Sequence, residues 1–590
     1  MGRLIIDPVT RVGGQLRIEA DVSAGVVAKA WVSSTMFRGV EGVLLRRDPR
    51  EAWLLAQRVC GTCTGVHALA SVRAVERALD IQVPKNARLV RNVLAGTILV
   101  RDHAMVLYQR ALPDWVDIAA AVKADPTATA RLALAASAWP ASGSDHFRKV
   151  RDRLAALVAS DQPGPFGSWT GHPAYRLSPE QSLLLMAHML DALDWQRDFL
   201  RVEALLGGKD PHPQTYLVGG VALAPPWGGP AASKTRQHPQ VPAKNAPVAL
   251  SEEGLEMMQG LIAGARAFVE QVLVPDTTLL VGAYPEYAAL GAGPGNYLAF
   301  GDYPQDEART PVLFLPGGRL MNGNLEAAQP VTPDAVAESI LHAWYAAGDG
   351  EDAGGLQPAA QGTTVPAFDA AIPLTQLNGD GRYTWTKAPR YEGLAMETGP
   401  LARVLVGAAN GQNEIRLALA NLFEQTGLSL DTMASVTGRM AARAVEAQVI
   451  VRQMDGWVWE LRQNLATGDV ALASVELWDP VAWPDEAEGW SVGEGPRGAV
   501  GHWLRIKNAL VDEYQIVDGS TWNASPRDKL GQRGPLETAL ERIPVADPAQ
   551  PLEILRTVHS IAPCAACAAH VLGGGVAAQR LNIHAREATR

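Results

Sequence analysis

Apolar and polar positions alternate through roughly the first 35 residues (Leu16, Ile18, then Val26 to Val32), the period of short antiparallel strands. From Glu51 through Leu79 the spacing becomes helical, with a break at Cys60-Gly61-Thr62-Cys63, and Asn86 to Arg110 predicts one long helix with Ala and Leu on one face. Helical spacing returns over Ser178 to Leu206, Glu252 to Leu273 and Asn410 to Leu465. Pro225 to Pro247 and Gly348 to Pro366 are rich in Pro and Gly and poor in periodic apolar residues, which marks them as surface loops or lobe boundaries. Residues 467–530 read as mixed strand and loop, with strands at His502 to Ile506 and Glu513 to Val517. A last helix follows near Pro551 to Ser560. The expected fold is mainly α with peripheral α+β lobes, without internal repeats.

Composition narrows the function. The chain has 590 residues, 47% of them hydrophobic and 19% charged, and a net charge of −10. That is ordinary for a globular protein and wrong for a polyanion binder, so nucleic acid is not an expected partner. The first residues, MGRLIIDPVTRVGGQ, lack the cationic start and apolar core of a secretory signal. The nearest approach to a membrane span, Ile561 to Ala578, contains Pro563, two cysteines, His570 and three consecutive glycines, so membrane attachment would be indirect.

The 4 cysteines form two C-x-x-C pairs at opposite ends of the chain, Cys60/Cys63 and Cys564/Cys567, each followed by a histidine, His67 and His570. Two intervening residues let both sulfurs of a pair face one ion. Spacing alone leaves several readings open. A structural zinc site is the commonest, but the 500 residues between Cys63 and Cys564 are far more than a compact zinc module closes. Disulfides are a second reading, and an iron-sulfur cluster or a catalytic transition metal a third.

The local context is more specific. Arg58-Val-Cys60-Gly-Thr-Cys63-Thr-Gly-Val-His67 and Pro563-Cys564-Ala-Ala-Cys567-Ala-Ala-His570 resemble the two signature motifs of the large, catalytic subunit of [NiFe] hydrogenases. Asp7-Pro-Val-Thr-Arg11, Phe37-Arg-Gly-Val-Glu41, Pro211-His-Pro213, Met396-Glu-Thr-Gly-Pro-Leu-Ala-Arg403, Pro496-Arg-Gly498 and Thr521-Trp-Asn523 resemble further family segments, in the family's order. The resemblance implies a central helix bundle holding a bimetallic site and reversible oxidation of dihydrogen. Cys60 and Cys564 would be terminal nickel ligands. Cys63 and Cys567 would bridge to an iron carrying carbon monoxide and cyanide, and Cys564 would accept the proton. It also implies Arg497 above the metals, oriented by Asp102, which His103 follows in the family's acidic-histidine pair. Pro496 and Ser520 would lie around the cyanides, and His67 and Arg58 would support the sulfurs. Glu41, His570 and the Ile516 carbonyl would bind a divalent ion such as magnesium.

The implied partner is a small subunit carrying iron-sulfur clusters, with a membrane cytochrome or other redox subunit reached through it. Maturation would need nickel-insertion proteins and an endopeptidase that removes residues 571–590, leaving a large subunit of residues 1–570. The implied location is membrane-associated on the periplasmic side through the small subunit, with the cytoplasm as the alternative. The alternative function is a hydrogen-sensing subunit of low turnover.

Three positions depart from the family pattern. Gly13 stands where a proton-accepting glutamate is usual, Ala562 where an aspartate pairs with the arginine, and Val106 where many members carry a histidine. The first implies another proton relay or slow turnover, so Gly13→Glu is expected to raise turnover. The second implies that Arg497 loses one partner.

Overall fold

The computed structural model describes residues 2–167, 169–224, 248–347, 357–359, 364–368, 377 and 379–568. His570, residues 571–590 and the Pro225 to Pro247 stretch lie outside the described residues.

The alternating start of the chain forms an antiparallel sheet of β1 (Gly2–Ile6), β2 (Leu16–Ser23) and β3 (Val26–Ser34). The expected helix over Glu51 to Leu79 appears in two parts. Ala52–Ala56 runs into a 3-10 turn at Gln57–Val59, and α1 (Thr64–Ala78) begins directly after the cysteine pair. The long helix is α2 (Lys85–Met105), which widens into a π-helical turn at Val106–Ala111. Pro179–Phe199, Arg201–Gly207 and Glu252–Phe268 answer the next two helical stretches.

The span Asn410 to Leu465 is not one helix. Asn413–Thr426 ends at Gly427, whose φ of 73° is the left-handed conformation that closes a helix. Ser435, accepting a bond from the Gly438 amide, then starts α3 (Val436–Ala466). At 31 residues this helix is about 46 Å long, and it packs along α2 through Val445, Ile450 and Met454 at the centre of the main core.

The mixed region holds a three-stranded antiparallel sheet, β4 (Glu486–Gly495), β5 (Gly498–Lys507) and β6 (Leu510–Val517), longer than the sequence indicated. Residues 348–366 are not entirely loop, since Gln357–Pro358 and Thr364–Pro366 join small sheets. No helix among the described residues is long and apolar enough to cross a membrane.

The two ends of the chain meet through an apolar joint. Leu16, Ile18, Ala20 and Val27 of the first sheet pack on Leu536 and Leu540 of α4 (Pro535–Leu540) and on Val558 and Ile561 of α5 (Leu552–Ile561). At about 1.5–3 kcal/mol for each large apolar side chain buried, this joint alone brings the last cysteine pair beside the start of the chain. Backbone bonds tie the same elements together, Val27 N to Ile543 O at 2.9 Å and Arg542 N to Val27 O at 2.9 Å.

Candidate metal centre

Each cysteine pair sits at an element boundary, where main-chain N–H groups are free to meet sulfur. Cys60 is extended, and its Sγ accepts from the amides of Cys63 (3.1 Å) and Thr62 (3.4 Å) as the chain turns into α1, with Cys63 at the helix N-cap. The second pair follows α5. Cys564 forms a parallel bridge with Gly13, its amide donates to Ser520 Oγ at 3.0 Å, and the Ala566 amide donates to Gly13 O at 3.3 Å. Gly14 has to be glycine here. Its φ is 74°, and a Cβ would lie 2.4 Å from the Ala566 nitrogen.

All four thiols are free, buried and convergent. Cys567 Sγ lies 3.1 Å from Cys564 Sγ and 4.0 Å from Cys63 Sγ, contacts far longer than a disulfide bond. Cys60, Cys564 and Cys567 have their sulfurs within 4.8 Å of one another, and so do Cys63, Cys567 and a ring nitrogen of His67. Hydrogen bonds from Cys564, Cys567 and Cys63 hold the Cys60 thiol well below its ordinary pKa. Donation to Cys564, Cys60 and Cys63 drives Cys567 well above it. Cys564 accepts from Cys567, but donating to Cys60 and being buried push it up to about 12. Cys63, Cys564 and Cys567 are thus held above the ordinary thiol range while Cys60 is held below it. A soft divalent metal is what would let all four ionise, so the donor set fits a thiolate-bound transition metal.

Beside Cys63 and Cys567 is a cavity of about 10 Å³, lined also by Pro496, Arg497 and Ser520. It is about the size of one water or diatomic molecule. Arg497 is clamped at its rim, with Nε and one terminal nitrogen donating to the two Asp102 oxygens at 2.9 and 2.8 Å and the other donating to Ala562 O at 2.7 Å. Ala562 thus meets Arg497 through its main-chain carbonyl, and Asp102 is the carboxylate that pairs with Arg497. The carbonyl is freed because α5 ends there in a left-handed turn, φ 56°. Burial works against charge on Asp102, yet Arg497 outweighs it and brings the carboxyl to about 2.

Behind the sulfurs, His67 Nδ1 meets His502 Nε2 at 3.1 Å, and His502 Nδ1 meets the Tyr514 hydroxyl at 2.8 Å. Burial lowers His67 to about 4, so its ring is neutral at pH 7. Sequence reasoning missed His502 and Tyr514. The strand positions were legible, but the pairing of β5 with β6 that brings the two rings together edge-on was not. Arg58 is exposed and contributes only its carbonyl, to Arg38. His103 turns away from the cluster to Glu446 at 2.6 Å, and Val106 lies in the π-helical turn that follows.

Glu41 forms a second buried site. One oxygen accepts from the Ile516 amide at 2.8 Å, and the other is buried without a partner, as are one oxygen each of Glu338 and Gln515. Burial pushes the Glu41 carboxyl up to about 8. Lys387 pulls the other way, and the unpartnered oxygens of Glu41, Glu338 and Gln515 together suit a hard cation with its waters.

The nickel-dependent hydrogenase family model matches residues 38–570. The uptake hydrogenase large subunit of Bradyrhizobium diazoefficiens is 40% identical over 586 residues, covering 97% of this chain and 95% of that protein. The hydrogenase-1 large chain of Escherichia coli K12 is 40% identical over 588 residues with the same coverage of both. Among solved structures, the reduced Ni-Fe-Se hydrogenase of Desulfovibrio vulgaris Hildenborough superposes with a TM-score of 0.75 at 29% identity, covering 96% of this chain and 100% of that one. A match of this extent, over a fold that closes four thiols on one point, means that the chain belongs to the nickel-dependent hydrogenase family.

Proposed function

We propose that Cys60 and Cys564 bind nickel terminally and that Cys63 and Cys567 bridge it to an iron bearing carbon monoxide and cyanide, with Pro496 and Ser520 lining the iron side. The activity is that of the catalytic large subunit of an uptake-type [NiFe] hydrogenase, an oxidoreductase converting dihydrogen to two protons and two electrons. Relatives named as uptake hydrogenases do not favour the hydrogen-sensing alternative. The observation that carries the assignment is the meeting of four buried sulfurs from opposite ends of the chain.

When bound, the centre supplies heterolytic cleavage of dihydrogen. Cys564 Sγ, a terminal thiolate, would receive the proton. Arg497, fixed at three points, holds a positive charge over the small cavity and excludes bulk water from it. His67, oriented by His502, presents a neutral ring to Cys63 and Cys567. Glu41, the Ile516 carbonyl and His570 hold magnesium, and Glu338 and Gln515 offer their orphaned oxygens to its waters.

A large subunit works in a heterodimer with a small subunit. With all four cysteines in one site, this chain has none left for iron-sulfur clusters, and the partner carries them. Nickel-insertion proteins load the site and an endopeptidase removes residues 571–590. The small subunit ties the pair to the periplasmic face of a membrane and to a cytochrome or other redox subunit there.

Elemental analysis with infrared spectroscopy of the purified heterodimer tests the assignment. One nickel and iron-bound cyanide and carbon monoxide bands are expected. Zinc in place of nickel, or no such bands, overturns it.

A further inference from the structure

At the far end of α1 from the thiols lies a cavity of about 420 Å³, between α1, the start of α2, the Phe300 to Leu313 segment and Trp490 of β4. Arg73 and Arg77 on its wall stand 10 and 14 residues beyond Cys63, about 15–21 Å along the helix. The volume falls in the range of small-molecule sites.

Most charges on the wall cancel. Arg73 pairs with Asp302 at 2.9 Å, Arg91 with Glu76 at 2.6 Å and Arg309 with Asp80 at 3.6 Å. Asp306 accepts from the amides of Ala308 and Val312. Arg77 and Arg88 line the cavity without an ion pair among the described residues. Arg88 is 7% exposed and spends one terminal nitrogen on Pro304 O at 2.9 Å, while its other terminal nitrogen has no hydrogen-bond partner among the described residues. Arg77 lies 3.7 Å over the Trp490 ring, which covers one face of its guanidinium and leaves a flat cationic surface for a second ring. Phe300, Val83 and Leu313 supply apolar wall.

We propose that this cavity binds a planar organic anion of the aryl carboxylate class, with the carboxylate on Arg88 and the ring against Arg77 and Trp490. A neutral ring would leave the Arg88 donor unmet. A polyphosphate would crowd several negative charges against Asp306, on which Arg88 already acts, and Glu307, which also line the cavity.

Isothermal titration of the purified heterodimer with 1-naphthoate, and with neutral 1-naphthalenemethanol as the isosteric control, tests this. Saturable one-site binding of naphthoate is expected, at least tenfold tighter than the alcohol. Arg88→Gln and Trp490→Leu should each weaken it at least tenfold while hydrogen uptake stays at the parent rate. Absence of naphthoate binding, equal affinity for the alcohol, or undiminished binding in both variants overturns the proposal. Should Arg88→Gln fail to fold, Arg77→Gln and Trp490→Leu carry the same test.

Discussion

Two adjacent glycines beside Cys564 differ in what they tolerate. A Cβ on Gly13 would lie 2.5 Å from the side-chain atom Cys564 Sγ, so the two segments must part slightly there, whereas one on Gly14 would lie 2.4 Å from a backbone nitrogen at a φ that already costs about 1–2 kcal/mol for other residues. Gly13→Glu should place a carboxylate at the sulfur and, in protein with its full nickel content, raise hydrogen uptake severalfold. Gly14→Ala should lose nickel. Nickel per protein and hydrogen-dependent dye reduction decide both, and unchanged uptake in a fully loaded Gly13→Glu protein would reject the idea that proton removal limits the rate. Arg497→Lys keeps a charge but cannot reach both Asp102 oxygens and Ala562 O at once. Uptake should fall about 10²-fold at unchanged metal content, and a drop below tenfold would mean that the fork is not used. The four cysteines stood out in the sequence by residue type and spacing, whereas Arg497, Asp102 and Glu41 came only from the resemblance of the chain to the family. The Ala562 carbonyl could not be picked out, since it acts through a backbone turn that no side chain announces, and His502 meets Tyr514 only because the strand register sets Tyr514 diagonally across from it.

At the scale of elements, α4 is joined to the first sheet by a buried carboxyl. Glu537 accepts from the Val32 amide at 3.1 Å and from the Tyr383 hydroxyl at 2.8 Å, while its other oxygen has no partner. Burial raises it from 4.5 to about 7. Its neutral form is the one the fold favours, so the stability it contributes is fully present below pH 4.5, declines as pH rises towards 7, and is gone above that. The difference is on the order of 3 kcal/mol. Glu537→Gln is therefore expected to melt higher than the parent at pH 8 and within a degree or two of it at pH 4.5. A variant less stable at pH 8 would show that the ionised carboxylate is the favoured form. The periods of α1, α2 and α3 were legible because each buries a broad apolar face. What periodicity blurred was where helices stop, as at Gly427, where one residue's left-handed turn divides a stretch whose apolar spacing runs on. The short strands near residues 357–366 escaped because two or three residues cannot display a period.

Over the whole molecule, the apolar joint between the first sheet and α4–α5 and the thiol cluster are two clasps on the same pair of chain ends, and they differ in kind. The joint is a hydrophobic surface built from side chains alone. In the cluster, burial and donation between thiols raise Cys564 and Cys567, and a metal that takes the place of their protons ties the ends together there. Metal binding to the folded form alone adds about 4 kcal/mol at a thousandfold excess over Kd, and that gain falls where the ligands are. Metal-free protein should therefore stay folded and melt lower. Its faster hydrogen exchange should be confined to residues 8–14, 60–63 and 562–568, with α3 unchanged. Cys564→Ser should reproduce that exchange pattern with metal present. Exchange that quickens through α3 as well would mean that the metal supports the core itself, and exchange unchanged at 562–568 would mean that the last cysteine pair does not depend on a metal for its place.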